Sequence, residues 1–558
     1  MNTMRLMACA SASVLALALA LPAAAADDVA TVGEVIVTAQ KKAENINDVP
    51  LSVTAVGGQK LDAIRSGGGD IRMLSARVPS LTMESSFGRT FPRPYIRGLG
   101  NTDFDLNASQ PVSFVYDEVV LETPVLKGFP LFDIAQVEVL RGPQGTLFGR
   151  NTPAGVLKFE SVKPSQDFGG YAQASYATFD TVNLEGAVGG AIVPGVLSGR
   201  LSGLYQRRSD WVDNTQGGDK NDSEGYEQFA LRGQLLWTPS EALSALLNIH
   251  YQHLDGTPRV FHANIIRPGT NNFVAGFKRD VISQDAQRRE TQKVESSGAN
   301  LKLTYDFGED APILTSITAY ERVDAYSRAD IDGGFGAVFA PPSGPGFIPF
   351  PSESADAIPF HGQFTQEVRL AGDTGQLAYT VGAFYFRESA KIDSYSFNTL
   401  AGGAQDGFAY QNQVTESWAV FANVDYDVSE QFNVGGGVRY SDDKKDFLAQ
   451  RTQSPFGAPN TAILTTSPDS SEVSFNVNAT YAATDDLNLY ARIARGYRAP
   501  SIQGRLVFGD TLSVAKKETV MSYEAGVKGK LADGRVRFDA DIFYYRVNDL
   551  QLTAVGGG

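Results

Sequence analysis

Residues 136 to 159 read QVEVLRGPQGTLFGRNTPAGVLKF. Val137, Val139 and Leu140 make a short apolar strand, Arg141-Gly142-Pro143 interrupts it, and Gly145, Gly149 and Gly155 permit close turns before a second apolar run from Val156 to Phe159. The stretch predicts a strand, a compact turn and a strand. Arg141 and Arg150 stand at its bends, where each can reach a carboxylate or backbone carbonyls of the surrounding structure. Taken alone, this is a tight α+β connection.

Upstream and downstream, residues 49–163 carry further β-prone pieces (LSVTAV, FVYDEVVL, VEVL, VLKF) and one helical stretch near residues 58–75, a domain of mixed α+β character. Pro164-Ser165-Gln166-Asp167 marks its boundary. From about Gly169 the rhythm changes to strict alternation. Val473, Phe475, Val477, Ala479 and Tyr481 alternate with Ser474, Asn476, Asn478 and Thr480, and Leu487, Leu489, Ala491 and Ile493 with Asn488, Tyr490 and Arg492. A period of two with one apolar and one polar face is a strand between lipid and water or between a core and water.

The connections separate these alternatives. About fifteen candidate strands are joined by short links at 190–196, 239–242, 372–376, 429–430, 484–485 and 532–534 and by long ones at 209–226, 255–297, 331–360, 394–415, 450–470 and 500–518. Short turns on one side and long loops on the other is the outer-membrane barrel pattern, and a hairpin at Ala177–Asp180 is its single exception. The long loops are therefore placed outside the cell. After residue 26 no run of about eighteen apolar residues occurs, so a helical span is not expected.

The N-terminus points to export. Met1–Ala26 has one positive residue, Arg5, an apolar core at Leu15–Leu21 and Ala24-Ala25-Ala26 before Asp27-Asp28, the layout of a signal peptide. The only cysteine, Cys9, lies inside it, too early for a lipoprotein signal, so the mature chain has no disulfide, cysteine metal site or thiol nucleophile. The 558 residues carry a formal charge of -15, and loss of Arg5 takes this to -16, which excludes a nucleic-acid footprint of clustered basic surface.

These stretches also resemble a known family. LRGPQGTLFGRNTPAG is similar to the end of the plug domain of TonB-dependent outer-membrane receptors, Ile96-Arg97-Gly98-Leu99-Gly100 to their IRG-x-G element, and Val112–Leu121 to their V-x-V-Y-x-D-G strand, with Glu118 where glycine is usual. Glu34-Val35-Ile36-Val37-Thr38-Ala39 resembles the Ton box, the handle that pairs as an added strand with periplasmic TonB, although it also fits an ordinary first strand of the plug. As a handle it should be mobile and unpaired, because strand addition needs free N–H and C=O groups. Tyr523–Lys528 (YEAGVK) resembles the family's Y-E-x-G-x-K strand, whose glutamate meets plug arginines. The resemblance therefore implies a cluster of Arg97, Arg141 and Glu524, with Gly98, Gly100, Gly142, Pro143, Gly145, Gly149, Arg150 and Asn151 as plug motif positions. The expected organisation is a signal peptide (1–26), Ton box and linker (27–48), plug (49–165) and a partial transmembrane β-barrel (166–558).

No catalytic constellation competes with this reading. G-x-S-x-G and H-E-x-x-H are absent, Asp103 stands where a dinucleotide fingerprint beginning at Gly98 needs its third glycine, and neither Gly142 nor Gly145 starts a Walker A spacing. His250 and His253 fall on opposite faces of one strand, and His262 and His361 lie in or beside long loops, so neither a metal site nor a cofactor is read from them.

What the resemblance implies is a membrane all-β barrel with an N-terminal α+β plug, taking up a scarce solute with energy supplied by TonB, ExbB and ExbD. A ferric siderophore or other iron complex is the family's commonest cargo, and cobalamin, oligosaccharides and aromatic compounds are alternatives. A passive porin would need neither plug motifs nor a Ton box. Phe335, Phe339, Phe347 and Phe350 in the loop 333–351 suggest an apolar ligand surface or a loop packed on itself. About fifteen strands, against the about 22 of plugged outer-membrane transporters, predict an unclosed sheet and a fragment of a longer receptor, with strands near 170 and 545 unpaired with each other.

Overall fold

Alternation builds the wall. The computed structural model describes residues 34–553 apart from 66–68, 86, 216–222, 264, 285, 287–288, 334–351, 458 and 533, so the signal peptide and the aromatic loop of 334–351 lie outside the described residues. From Gly169–Ala177 to Val536–Asn548, strands follow one another in chain order as antiparallel neighbours of a 16-stranded sheet, with the short Leu464–Thr466 paired onto the side of Phe432–Gln453. The sheet is inside-out relative to a soluble protein: Val473, Val477, Leu489, Ile493 and Tyr523 are exposed, whereas Ser474, Asn476, Asn478, Arg492 and Glu524 are buried. Apolar side chains outward and polar side chains inward is the pattern of a barrel wall in lipid. The wall is not closed, because Gly169–Ala177 and Val536–Asn548 are the two ends of the sheet and share no ladder.

The N-terminal part forms the plug. β1 (Ile36–Val37) pairs with β2 (Glu44–Asn45), β4 (Leu81–Glu84) with β5 (Arg93–Ile96), and β3 (Val53–Gly57), β6 (Val112–Tyr116), β7 (Val119–Leu121), β8 (Ile134–Arg141) and β9 (Gly155–Ser161) form a sheet of order β3-β8-β9-β6-β7. α1 (Gly58–Arg65) and a 3-10 turn at Ile71–Leu74 occupy the expected helical stretch. The turn between β8 and β9 also holds a short helix, α2 (Gly145–Phe148), where the dense glycines suggest only a turn. The plug lies within the curve of the wall, bonded to strands along its whole course: Arg65 to Glu185, Asp133 to Arg200, Gln363 to Val120, and Arg97 to Glu524.

The expectation of a long loop at 394–415 is wrong. Leu377–Asn398 and Ala404–Ser429 stay paired to a tight tip at Gly402-Gly403, so the hairpin runs on beyond the apolar band. Polar residues outside lipid read as loop in the sequence, but Tyr395, Phe397 and Phe408 stack on the paired strands and hold them together. His361 likewise sits within the strand Glu353–Asp373, fully buried, rather than in a loop.

One glycine controls the junction of β8 and β9. Gly155 has φ +152, and a Cβ there would stand 2.3 Å from the Leu140 carbonyl oxygen, a backbone atom that cannot turn aside. Gly155→Ala should therefore destabilise the plug by about 1–3 kcal/mol, read as a lower urea midpoint by plug-specific proteolysis of the detergent-folded protein.

Candidate functional site: the plug and wall contacts and the N-terminal hairpin

Arg97 ends β5 in a left-handed turn (φ 52), which swings its guanidinium out of the plug toward the wall. There Nη1 donates to Glu524 Oε2 and Nη2 to Asp541 Oδ2, both at 2.6 Å, and the guanidinium lies 3.8 Å from the centroid of the Phe543 ring. Glu524 also accepts from the Ser52 amide and the Tyr490 hydroxyl, each at 2.9 Å. The Arg97 and Glu524 side chains are each 3% exposed, so each charge has its partner and almost no water.

Arg141 does not bond Glu524. It donates to Ser52 Oγ at 3.1 Å, Thr54 Oγ1 at 2.6 Å and the Pro79 carbonyl at 3.1 Å; it lies close enough to feel the charges of Asp541 and Glu524, and its hydrogen-bonded link to the acids runs through Ser52, whose hydroxyl donates to Asp541 Oδ1. The reason is local: Arg141 closes β8 opposite β3, within reach of that strand's hydroxyls and carbonyls. Asp541, missed as a site residue, could have been found by its alternation with Ile542 and Ala540 on the last strand.

The remaining motif positions crowd the wall. A Cβ on Gly145 would lie 2.7 Å from that of Ser474, and one on Gly149 2.9 Å from the Arg439 guanidinium. Pro143 offers its carbonyl to Arg492 at 2.8 Å, and Gly142 packs beside the Arg97 guanidinium. Arg150 faces Asp443 at 3.4 Å and Glu122 at 3.6 Å over the Phe386 ring, and Asn151 bonds the Tyr497 carbonyl, the Ala499 amide and Glu122. Gly98 (φ 79) continues the turn at Arg97, and Gly100 leaves room for the Tyr95 ring.

Glu118 explains its own departure from glycine. Asp117 and Glu118 are the two turn residues between β6 and β7, both with positive φ, a conformation that favours glycine or asparagine. The side chain gained is a clamp: Glu118 pairs with Arg369 at 2.5 Å and with Lys302, both on the wall. Burial works against the charge, but the Arg369 guanidinium and the Lys302 ammonium outweigh it and hold the carboxyl well below its usual range.

The segment 34–39 is paired rather than free, contrary to expectation. Ile36–Val37 pairs with Glu44–Asn45, Val37 and Ala39 are buried in a small apolar cluster with Val115, Leu140 and Val156, and Val35 packs against it. Thr38 donates from its amide and hydroxyl to Glu138 at 2.9 Å, the Ile36 carbonyl accepts from Gln136, and Glu34 accepts from Asn45. The alternation that suits an added strand also suits burial of alternate side chains on the plug sheet, and no sequence pattern separates the two. Lys41 then ties the hairpin to wall residue Glu367 at 2.6 Å, beneath a cavity of about 500 Å3 lined by Lys158, Lys163, Lys302, Arg369 and Glu118. The hairpin sits at the short-turn end of the wall, since Asn488, beside the turn at 484–487, bonds Asn47 and Asp48.

A plug held by ion pairs and hydrogen bonds inside a lipid-facing antiparallel wall defines a plugged barrel of the transporter type. Family models agree: "TonB dependent receptor-like, beta-barrel" matches residues 264–558 and "TonB-dependent Receptor Plug Domain" residues 45–156. The chain belongs to the TonB-dependent receptor family. It is 24% identical to the pesticin receptor of Yersinia enterocolitica over 483 residues, covering 85% of this chain and 65% of that relative. The crystal structure of the ferric yersiniabactin uptake receptor FyuA from Yersinia pestis superposes with a TM-score of 0.74 at 21% identity, covering 90% of this chain and 73% of that one. That of the siderophore receptor PiuA from Acinetobacter baumannii gives 0.69 at 15% identity, with the same two coverages of 90% and 73%.

Two outcomes test these contacts. Arg97→Ala strands two carboxylates and should cost about 3–5 kcal/mol, whereas Glu524→Gln leaves Asp541 to hold Arg97 and should cost clearly less, both read from urea midpoints. Glu118, depressed in the fold, stabilises fully above its ordinary value of 4.5 and loses that contribution as pH falls below it. The wild type should therefore lose more stability than Glu118→Gln between about pH 6 and pH 3 in parallel melts.

Proposed function

We propose that this chain, with its plug and wall, acts as an outer-membrane receptor that takes up a scarce solute actively, with an iron complex such as a ferric siderophore as its cargo. The observation that carries the reading is the strand-forming hairpin 34–45, docked at the short-turn end and joined to both plug and wall. A docked strand has most of its edge in use, so it can serve as a handle for TonB only after release, which couples any change at the plug to exposure of the segment. Energy then comes from the inner membrane through TonB with ExbB and ExbD.

Iron is favoured by the names of the relatives, among them receptors for ferric yersiniabactin and for siderophores. Cobalamin, oligosaccharides and aromatic compounds are the other cargoes compatible with the fold. A passive porin is disfavoured because Arg97, Arg150, Glu118 and Lys41 all fasten the plug across the lumen.

The purified protein titrated with ferric siderophores, cobalamin and oligosaccharides should bind one ferric siderophore selectively, and cells carrying the gene at its own locus should accumulate that complex. Val37→Pro removes a strand N–H and fixes φ, so uptake should fall at least about tenfold with binding unchanged. Undiminished uptake would remove residues 34–39 as the handle. Selective binding of cobalamin or an oligosaccharide instead would overturn the iron assignment alone.

A further inference from the structure

The plug loop after the IRG element reads Asn101-Thr102-Asp103-Phe104-Asp105-Leu106-Asn107, with an oxygen-bearing side chain at every second position. Asn101, Asp103 and Asp105 are 5%, 5% and 2% exposed, turned inward on the curled loop, and Thr102 between them faces water. Asp103 Oδ1 accepts from the Asp105 amide at 3.0 Å and from Gln503 Nε2 at 2.8 Å. Asp105 Oδ1 has only a long contact of 3.5 Å from the Asn107 amide, and its Oδ2 has no hydrogen-bond partner at all. Asn107 Oδ1 is also buried and unpartnered, while its Nδ2 is fixed by Gln411 and Gln413 of the wall at 3.3 and 3.4 Å.

Among the described residues neither Asp103 nor Asp105 has a cation within ion-pair distance. Of the cations whose charge they feel, Arg505 is committed to Asp356 at 3.0 and 3.1 Å, and Arg498, which faces Asp103, also faces Glu518 at 4.0 Å. A buried carboxylate in this position needs a neutralising partner, either a proton or a cation.

We propose that the loop 101–107 binds a hard divalent cation, calcium, through the carboxylates of Asp103 and Asp105 and the amide oxygen of Asn107, with main-chain carbonyls completing the shell. The ligand chemistry selects the ion. The side-chain donors of Asp103, Asp105 and Asn107 are all oxygens, which disfavours transition metals that prefer nitrogen or sulfur donors. Carboxylate, amide and carbonyl oxygens on an irregular loop suit the roughly 6–8 flexible oxygen ligands of calcium better than the rigid octahedron of magnesium. Only two formal charges contribute, so the affinity falls in the weak range of extracellular modules, on the order of 10⁻⁴ to 10⁻³ M. Half-buried Asn107 provides the entry, and the site lies toward the long-connection side of the wall, where Gln503 and Arg505 belong to the connection after Arg498. The ion would tie the plug loop to Gln411, Gln413 and Gln503, whatever the cargo.

Thermal melts and isothermal titration of the full chain in metal-free detergent test this. About 2 mM calcium should raise the melting temperature over EGTA, and magnesium at the same concentration should not. Asp105→Asn should abolish the calcium response and, in EGTA, melt no lower than the wild type because an uncompensated buried charge is gone. Asn107→Asp, which adds a ligand charge, should bind calcium at least about fivefold tighter, and it carries the test if Asp105→Asn does not fold. No calcium response in the wild type overturns the proposal, as does an equal response in Asp105→Asn, which would place the ion on bound lipid or elsewhere on the chain. Stabilisation by acid that calcium does not compete with would make a proton the partner and overturn it likewise.

Discussion

The guanidinium of Arg97, held between Glu524 and Asp541 and 3% exposed, fixes where the plug can sit. Three formal charges meet there with little water, a geometry that is most expensive when the guanidinium is missing, since its loss strands both carboxylates. Its consequence is positional: β5 must end in a left-handed residue, the last wall strands must turn their acids inward, and Ser52 must bridge the two sides. Most of the motif spacing in the plug follows from bringing these atoms together.

Inside-out polarity makes such contacts necessary. The inner wall presents Ser474, Asn476, Arg492 and Glu524 because each strand must put its apolar face toward lipid, so the plug meets a polar surface and must match it group by group. Lys528 shows the matching at its most complete, donating to the carbonyls of Ile46, Val49 and Leu51 at 2.8 to 2.9 Å. Glycines at 145 and 149 let the plug backbone approach closely enough for this.

Much of the wall was legible in the sequence because period-two alternation is a local signal: strands near 473–481 and 519–531 lie where it puts them, and the sheet is open between the ends near 170 and 545. The acid facing Arg97 was legible through the same alternation. Tertiary choices were not. Nothing local distinguishes a free β-prone handle from Val37 buried against Val115, Leu140 and Val156, nor tells Arg141 to take hydroxyls rather than Glu524. The polar extension of the hairpin around Gly402 looked like loop because its pairing partners lie on the neighbouring strand. Asp103 registered only as a failed dinucleotide fingerprint, since the burial of Asp105 with its Oδ2 unpartnered is a tertiary outcome that no local pattern shows.

The plug is held unequally on its two sides. Toward the strands of residues 243–398 its core continues into the wall, with Phe114, Leu121, Leu126 and Leu131 clustered with Leu254, Val294, Ile317, Val323, Ile358 and Ile392. No residue beyond Ile392 joins that cluster among the described residues, and toward strands 432–548 the plug meets polar groups, among them Glu524 at Arg97, Asp443 at Arg150, Arg492 at the Pro143 carbonyl and Lys528 at three main-chain carbonyls. Apolar burial is non-directional and persists through small displacements, whereas a hydrogen-bonded charge needs its angle and distance and exchanges readily with water. Water admitted to the lumen therefore competes with the charged and hydrogen-bonded contacts, which both sides carry, more than with the apolar cluster shared with the first side. The hairpin 34–45 is fastened by both kinds of contact: Thr38, Lys41 and Lys42 hold through hydrogen bonds and ion pairs that water can replace one at a time, whereas freeing it also exposes Val37 and Ala39 from their apolar cluster.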